Sequence, residues 1–91
     1  MVNYQTYWKV PISQVKDHIG EIIYVQGKII RVRFTEKATF FTLTDGIGKI
    51  SCVSFDKVNI FVDEEVIVKG KVQIYRGKPE LIVYELRCTN C

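Results

Sequence analysis

The segment from Lys37 to Phe55, KATFFTLTDGIGKISCVSF, constrains the fold more than any other part of the chain. Two runs of apolar and hydroxyl residues flank the pair Asp45-Gly46, which is a common turn signal between antiparallel strands. Because successive side chains of a strand point to opposite faces, Phe40 and Phe41 must lie on different faces of the sheet. One of them therefore enters the core, and the other is an aromatic group on the outer face.

Length and composition predict a single globular domain. The chain has 91 residues, and its 47% of hydrophobic residues suffices for a small core. No apolar run approaches the roughly 20 residues that span a bilayer. The first residues, MVNYQTYWKV, lack the apolar segment and small-residue cleavage site of a secretory signal, so we expect a cytoplasmic protein.

Five segments carry the alternation and the β-branched and aromatic content of strands. They are Glu21–Phe34, Lys37–Thr44, Lys49–Phe55, Glu65–Tyr75 and Glu80–Arg87. Ile12–Ile19 is the best helical candidate, with Ser13 as a possible N-cap and Gly20 as the stop, and it is long enough for only a turn or two.

Glycines inside the strands indicate how these segments join. Gly27 lies within the first strand and Gly70 within the fourth, where each predicts a bulge or bend. A bent strand can serve two sheets, which suits a small closed barrel. We therefore predict an all-β fold, a five-stranded Greek-key barrel with a short N-terminal helical turn. The single domain covers 1–91, with an extension over 1–11, the barrel over 12–87 and a tail over 88–91.

Basic residues cluster along the chain although the net charge is only +3. One cluster contains Lys28, Arg31, Arg33 and Lys37, and the other contains Lys69, Lys71, Arg76 and Lys78. The acids gather elsewhere, notably at Asp63-Glu64-Glu65. This separation is consistent with one basic face that attracts polyanions, and the alternative is a scatter of solvated lysines.

The chain has three cysteines, and an odd number argues against a closed disulfide framework. Cys52 lies in an apolar strand and is expected to be a small buried hydrophobe. Cys88 and Cys91 have the spacing of half a zinc ribbon or of a redox pair. The alternative is that this pair is incidental or forms intermolecular bonds. His18 has no second ligand nearby and is expected at the surface.

The sequence does not carry the residues of an enzyme. It has one histidine, no glycine-rich phosphate loop, no nucleophile elbow and no paired carboxylates at useful spacing. We therefore expect a binding protein without catalytic activity or cofactor, and with neither a membrane nor a small molecule as its partner.

Five short motifs occur in a fixed order along the chain. They are VQGKI at 25–29, FFTLTD at 40–45, GKISC at 48–52, VKGKV at 68–72 and YRGKPEL at 75–81. In this order the chain resembles the OB-fold nucleic-acid-binding domains of the anticodon-binding and helicase type. Such domains precede the catalytic domain of aspartyl-, asparaginyl- and lysyl-tRNA synthetases, and related ones occur in a replicative polymerase subunit, exonuclease VII and RecJ-like proteins. The resemblance covers roughly Ile12 to Leu86 and implies an OB barrel.

The resemblance also implies a nucleic-acid site on the second and third strands. The aromatic residue that stacks on a base in the synthetases corresponds to Phe40, five residues before the strand-end aspartate. The arginine that follows the first-strand glycine corresponds to Arg31, with Arg33 two residues further on. The synthetases commonly carry arginine and glutamine where this chain has Thr44 and Ser51, so reading of a specific anticodon is not implied.

The same register places Thr42 beside Phe40 on the outer face, while Phe41 and Leu43 turn into the barrel. Tyr75 is a second stacking candidate, and the basic residues around these strands are candidate phosphate contacts. The predicted nucleic-acid-binding residues are Arg31, Arg33, Lys37, Phe40, Thr42, Thr44, Lys49, Ser51, Lys69, Lys71, Tyr75, Arg76 and Lys78.

These residues predict binding of single-stranded DNA or RNA with weak sequence preference. For Phe40 the alternative is packing under the N-terminal aromatics Tyr4, Tyr7 and Trp8, or contact with another protein. An alternative for the whole chain is an OB subunit that binds protein partners in a replication, repair or telomere-type assembly, with Val53, Tyr75 and Tyr84 exposed. A third reading makes it the OB part of a larger enzyme whose zinc module begins at Cys88.

Overall fold

Five strands and one short helix form the chain, and the structure, a computed structural model, describes residues 8–90. The 3-10 helix covers Ile12–His18, and the strands are β1 (Ile22–Phe34), β2 (Thr39–Thr44), β3 (Lys49–Ser54), β4 (Glu65–Tyr75) and β5 (Lys78–Cys88). Within residues 8–90, no helix has the length and apolar character needed to cross a membrane.

The five strands close into a barrel in the order β1-β2-β3-β5-β4. All neighbours are antiparallel except β3 and β5, which pair in parallel over three residues from Ser51 to Val53. The first half of β1, from Ile22 to Lys28, pairs with β4, and its second half, from Lys28 to Phe34, pairs with β2. The predicted all-β, five-stranded OB barrel is therefore confirmed.

Two glycines allow the backbones of neighbouring strands to approach closely. A Cβ atom added at Gly27 would lie 2.8 Å from the carbonyl oxygen of Thr44. At Gly70 it would lie 2.9 Å from the Cγ atom of Leu81 and closer still to the carbonyl oxygen of Ile82. Any side chain at these positions would push β1 away from β2, or β4 away from β5.

The irregularity predicted at Gly70 is confirmed, whereas the one predicted at Gly27 falls elsewhere in β1. In the β1–β2 pairing the shift lies between Ile29 and Arg31, so Ile30 is the extra residue. In the β4–β5 pairing the shift lies between Lys69 and Gly70. Gly27 therefore permits close packing, and the bulge itself, which adds local twist and bend, lies three residues later.

The inward side chains of all five strands form one core. Its fully buried members include Val25, Ile29, Leu43, Val66, Val68, Val72 and Leu81. Phe41 is buried with them, which confirms its predicted inward direction. Burial of one such side chain contributes about 1.5–3 kcal/mol, so this alternation is the main source of stability.

The helical segment before β1 is a 3-10 helix, in which side chains three residues apart eclipse one another. Ile12 and Val15 therefore share one side, where both are buried in the core. Ser13 and Lys16 share another side, which faces outward. The predicted N-cap at Ser13 is wrong, because Pro11 occupies the cap position and no side chain caps the helix.

Two strand starts also differ from expectation, since β2 begins at Thr39, two residues later than predicted, and β5 at Lys78, two residues earlier. The hydroxyl oxygen of Thr35 accepts hydrogen bonds from the backbone N–H groups of Lys37 and Ala38, so β2 begins only at Thr39. Arg76 and Gly77 both have positive φ, 54° and 80°, and form a two-residue turn between β4 and β5.

The variant Gly70→Ala tests the close approach of β4 and β5. It should lower the free energy of unfolding by about 1–3 kcal/mol, because the added methyl group overpacks the contact with β5. Urea unfolding followed by circular dichroism measures this change. An unchanged unfolding midpoint would contradict the close approach.

Candidate nucleic-acid interface

Outward side chains of neighbouring strands meet in rows across β1, β2, β3 and β5. Thr42 of β2 lies opposite Arg31 of β1 and Ser51 of β3. Ser51 in turn lies opposite Glu80 of β5 through the parallel pairing. Closure of the barrel therefore extends the β2–β3 platform onto β5, with hydroxyl groups in the middle and charges at both ends.

The next row along the strands carries the aromatic group. Phe40 lies opposite Arg33 on β1 and Val53 on β3. The guanidinium carbon of Arg33 lies 4.5 Å from the centre of the Phe40 ring, in cation–π contact. Phe40 is half-buried on the outer side of the sheet, as its register with Asp45 predicts.

The N-terminal aromatics that were the alternative cover for Phe40 are only partly described. Trp8 is 83% exposed and is not packed over the ring. Tyr4 and Tyr7 lie outside the described residues. The prediction that Val53 is exposed is wrong, since only 3% of it is accessible. Phe40 and Ile82, which have larger side chains, lie opposite Val53 in the same row.

A groove of about 430 Å³ opens on this face and is called the aromatic groove. It is lined by Arg31, Arg33, Phe40, Phe41, Thr42, Ser51, Cys52, Tyr75, Arg76 and Glu80. Tyr75 is 53% exposed, and the guanidinium carbon of Arg76 lies 5.4 Å from its ring centre. Besides the buried Phe41, the groove thus holds two aromatic rings that each have an arginine beside them.

Sequence reasoning missed Glu80, which lines the aromatic groove although the residue is only 9% exposed. Its Oε1 atom accepts a hydrogen bond of 2.9 Å from the Nε2 atom of Gln73. The alternation of β5 places Glu80 on the outer side, but only the parallel pairing with β3 shows that it lies beside Ser51. Finding Glu80 from the sequence would therefore have required knowledge of the strand order.

A second groove, of about 390 Å³, adjoins the first and is called the lysine groove. It is lined by Ile12, Ser13, Val15, Lys16, Thr42, Lys49, Ile50, Ser51, Lys78 and Pro79. Thr42 and Ser51 line both grooves, so the two form one continuous surface. Of the lysines here, Lys49 and Lys78 were predicted from the sequence, and Lys16 was not.

Asp45 holds the β2–β3 turn and the 3-10 helix together. Its Oδ1 atom accepts hydrogen bonds from the backbone N–H groups of Gly48, at 2.9 Å, and Ile47, at 3.0 Å. Its Oδ2 atom accepts a third, of 3.2 Å, from Ile12. These donors, with Gly48 the strongest, lower the pKa of Asp45 from its ordinary value of 3.8. The turn role that the sequence predicted for Asp45 agrees with this geometry.

Several predicted site residues lie away from the aromatic groove. Lys37 lies in the turn between β1 and β2 and lines neither groove. The Thr44 hydroxyl donates to the carbonyl oxygen of Gly48 and serves the β2–β3 turn. Lys69 lines a different groove on the β1–β4–β5 face, where its Nζ atom lies 3.9 Å from Glu85. Lys71 is on β4, opposite Ile22 of β1, and also lines neither groove.

The cysteines and the histidine have structural settings in the described chain. Burial raises the pKa of the Cys52 thiol, and the charge of Glu80 raises it further, so this thiol stays protonated and unreactive. Cys88 is disulfide-bonded, and Cys91 lies outside the described residues. Nδ1 of His18 lies 2.8 Å from Glu21. Residues 8–90 contain no group of three or more His, Cys, Asp or Glu that could hold a metal ion.

Comparison with known proteins identifies the family to which this arrangement corresponds. The family described as OB-fold nucleic acid binding domain matches residues 23–89. A curated relative, the cytoplasmic asparagine–tRNA ligase of Debaryomyces hansenii, is 42% identical over 45 residues. The match covers 50% of this chain and 8% of the relative, so this chain corresponds to a small part of that enzyme.

Solved structures share the same barrel. The asparaginyl-tRNA synthetase of Pyrococcus horikoshii in complex with asparaginyl-adenylate superimposes with a TM-score of 0.78 at 21% identity, over 89% of this chain and 22% of that one. A replication protein A heterotrimer bound to single-stranded DNA contains a chain that superimposes with a TM-score of 0.71 at 14% identity, over 78% of this chain and 58% of that one. At these identities the likeness shows the fold.

The variant Asp45→Ala tests the link between the turn and the 3-10 helix. At neutral pH it should unfold at a lower urea concentration than the wild type, because three backbone N–H groups lose their acceptor. Since the pKa of Asp45 is lowered in the folded state, its charge stabilises the fold above pH 3.8, and this contribution is lost as the pH falls through the lower folded value. The difference between the two proteins should therefore shrink in acid.

The matched control is Asp56→Ala, which removes an exposed carboxylate from the connection after β3. Its effect should be small at every pH. The difference in urea unfolding midpoint between wild type and Asp45→Ala should not stay constant below pH 3.8. A constant difference would argue against the proposed role of the Asp45 charge.

Proposed function

This chain belongs to the family of OB-fold nucleic acid binding domains, and we propose that it binds single-stranded DNA or RNA with weak sequence preference. The observation that supports this proposal most directly is the aromatic groove. It combines Phe40 and Tyr75 with three arginines on the outer face of a closed barrel. Aromatic rings for bases and cations for phosphates are the two components that single-strand binding requires.

The stacking of bases on Phe40 and Tyr75 would supply sequence-tolerant affinity. Each stacked base contributes about 1–3 kcal/mol, and every base offers a π-face. Because Phe40 sits on a β-strand of the closed barrel rather than on a loop, its ring is already oriented before a ligand arrives. This preorganisation reduces the entropy cost of binding.

The arginines of the aromatic groove would contact phosphates. Arg31, Arg33 and Arg76 form no ion pair within residues 8–90, so their charges are available to a polyanion. Two of them already lie beside an aromatic ring. Affinity should therefore fall steeply with salt, because each neutralised phosphate releases counterions.

Sequence preference would come mainly from Glu80. The side chains of Thr42 and Ser51 are short and reach few base atoms, which supports weak selectivity. The Glu80 carboxylate accepts one hydrogen bond from Gln73, and Glu80, which lines the groove, has further acceptor capacity. A carboxylate accepts hydrogen bonds from an amino group such as N4 of cytosine but not from O4 of uracil or thymine.

We further propose that the domain acts as a binding module rather than as an enzyme, and that it functions in the cytoplasm. The curated relative is described as a cytoplasmic ligase, and this chain spans 8% of its length. The groove residues offer stacking, hydroxyl groups and charge, and no nucleophile paired with a base.

A second candidate function is that of a subunit that binds protein partners, as in a replication, repair or telomere-type assembly. Apolar side chains at one place on the surface favour it. Phe61 and Val62 are 62% and 50% exposed. Backbone hydrogen bonds from Asp63 to Ile29, and from Ile29 to Glu64, bring this segment next to the exposed Ile30. Such a cluster resembles the apolar centre of an interface.

A titration distinguishes the two functions. Labelled single-stranded DNA and RNA are added at low salt while amide chemical shifts are recorded. Shifts confined to β2, β3 and the β4–β5 turn support nucleic-acid binding. Absence of a response, together with a dimer by light scattering, would favour the interaction subunit.

The variant Phe40→Ala should weaken binding of a single-stranded oligonucleotide by about 1–3 kcal/mol, or roughly 5- to 150-fold, since one stacking partner is lost. Fluorescence anisotropy measures the affinity, and thermal melting confirms that the protein is folded. Phe61→Ala is the matched control, because it removes an exposed phenylalanine outside the groove. Equal affinities of Phe40→Ala and wild type per folded molecule would refute the stacking role.

The variant Glu80→Gln tests the selectivity. It keeps the oxygen that accepts from Gln73 but loses the charge, so the fold should be retained. The preference for oligocytidine over oligouridine should fall by roughly 1 kcal/mol. Glu85→Gln, on the face of Lys69, is the control with the same change of charge. If both variants keep the wild-type preference, Glu80 does not read the base.

A further inference from the structure

The lysine groove continues the aromatic groove across Thr42 and Ser51. We propose that the lysine groove binds the nucleotide adjacent to the one stacked on Phe40, with Lys16 of the 3-10 helix as a phosphate contact. This inference rests on the proposed function, because it presupposes a single strand in the aromatic groove. It adds the 3-10 helix, which neither the motifs nor the strand pattern connects with binding, to the interface.

The geometry of the 3-10 helix directs two polar side chains into the groove. Side chains at positions i and i+3 of such a helix eclipse one another. Four residues of the helix line the groove, where Ile12 and Val15 are buried together and Ser13 and Lys16 are exposed. A hydroxyl donor and an ammonium group on one short helix suit the oxygen atoms of a phosphate.

The wall that carries Lys16 is fixed to the strands before any ligand binds. The backbone N–H of Ile12 donates to the Asp45 carboxylate at 3.2 Å. A Cβ atom at Gly48 would lie 3.1 Å from Cγ2 of Ile12, so the helix and the β2–β3 turn pack without space between them. The distance between Lys16 and the β-strands is therefore held by contacts at both ends of the turn.

The composition of the groove matches one nucleotide. Its cations are Lys16, Lys49 and Lys78, and none of them forms an ion pair within residues 8–90. Apolar atoms of Ile50 and Pro79 provide a surface for a base or sugar. In the groove on the β1–β4–β5 face, by contrast, one of the cations, Lys69, has its Nζ atom 3.9 Å from Glu85.

The spacing along β2 connects the two sites. Outward residues of a strand repeat every two residues, or about 6.8 Å in an antiparallel sheet. Thr42 follows Phe40 by one such step, and Thr44, opposite Lys49, follows by a second. A strand that leaves Phe40 in this direction passes over Thr42 and Ser51 and enters the lysine groove.

The test compares Lys16→Gln with Lys57→Gln, which removes the same charge from an exposed site that lines neither groove. Affinities of wild type and both variants for a single-stranded pentanucleotide are measured by anisotropy over a series of salt concentrations. Lys16→Gln should reduce the slope of log K against log salt by roughly 0.7, the value for one phosphate of a single strand. The loss should be similar for all base sequences, as expected of a phosphate contact, and Lys57→Gln should leave the slope unchanged.

Combining the Lys16→Gln variant with a modified oligonucleotide gives a double-mutant cycle between protein and ligand. A neutral methylphosphonate placed at each linkage in turn should weaken wild-type binding at the linkage next to the stacked base. In Lys16→Gln the same substitution should have no further effect. If it weakens both proteins equally, or if the salt slopes of the two lysine variants agree, the lysine groove does not hold this phosphate.

The affinity of Phe40→Ala shows whether a negative result refutes only the lysine groove or the proposed function as well. If Phe40→Ala weakens binding while Lys16→Gln behaves like Lys57→Gln, the stacking site remains and only the second subsite is refuted. If wild type binds no oligonucleotide at low salt, both proposals are overturned.

Discussion

Close approach of the backbones at Gly27 and Gly70 is the constraint on which the rest of the structure depends. A Cβ atom at Gly27 would lie 2.8 Å from the carbonyl oxygen of Thr44, and one at Gly70 would press against β5. With these contacts β1 and β4 can each pair on both sides, and the barrel closes through three parallel pairs between β3 and β5. That closure sets Glu80 beside Ser51, so the shape and the charge of the aromatic groove follow from it.

A second level of organisation depends on Asp45. Its carboxylate accepts backbone hydrogen bonds within the β2–β3 turn and from Ile12 of the 3-10 helix. The turn orients Lys49, and the helix orients Ser13 and Lys16, so one side chain fixes both walls of the lysine groove. Each bond to an exposed carboxylate is weak by itself. Their joint effect is to remove freedom from the turn and the helix at once, which matters more for a site than for global stability.

The parts of the fold that local sequence determines were predictable. The observed bounds of β4 agree fully with the predicted ones. The alternation of side chains along β2 assigned Phe41 to the core and Phe40 to the outer face, because alternation is a property of a single strand. Properties that depend on neighbouring strands were not accessible. Val53 is buried with larger side chains opposite it on both neighbouring strands, and Glu80 reaches the site only through the parallel pairing. Lys69 follows the right alternation but lies on another face of the closed barrel.

The arginine that faces Phe40 limits how much a base can gain by stacking there. The guanidinium of Arg33 already lies 4.5 Å from the ring centre, an interaction that contributes about 0.5–1 kcal/mol at an exposed site. In the proposed function, a base that displaces the guanidinium would gain about 1–3 kcal/mol from stacking and would lose the cation–π contribution. The released guanidinium could then move to a phosphate, so the loss would be recovered as a charge-assisted hydrogen bond. In the proposed function the pair would exchange one weak internal contact for two ligand contacts, which would favour a single strand over an isolated base.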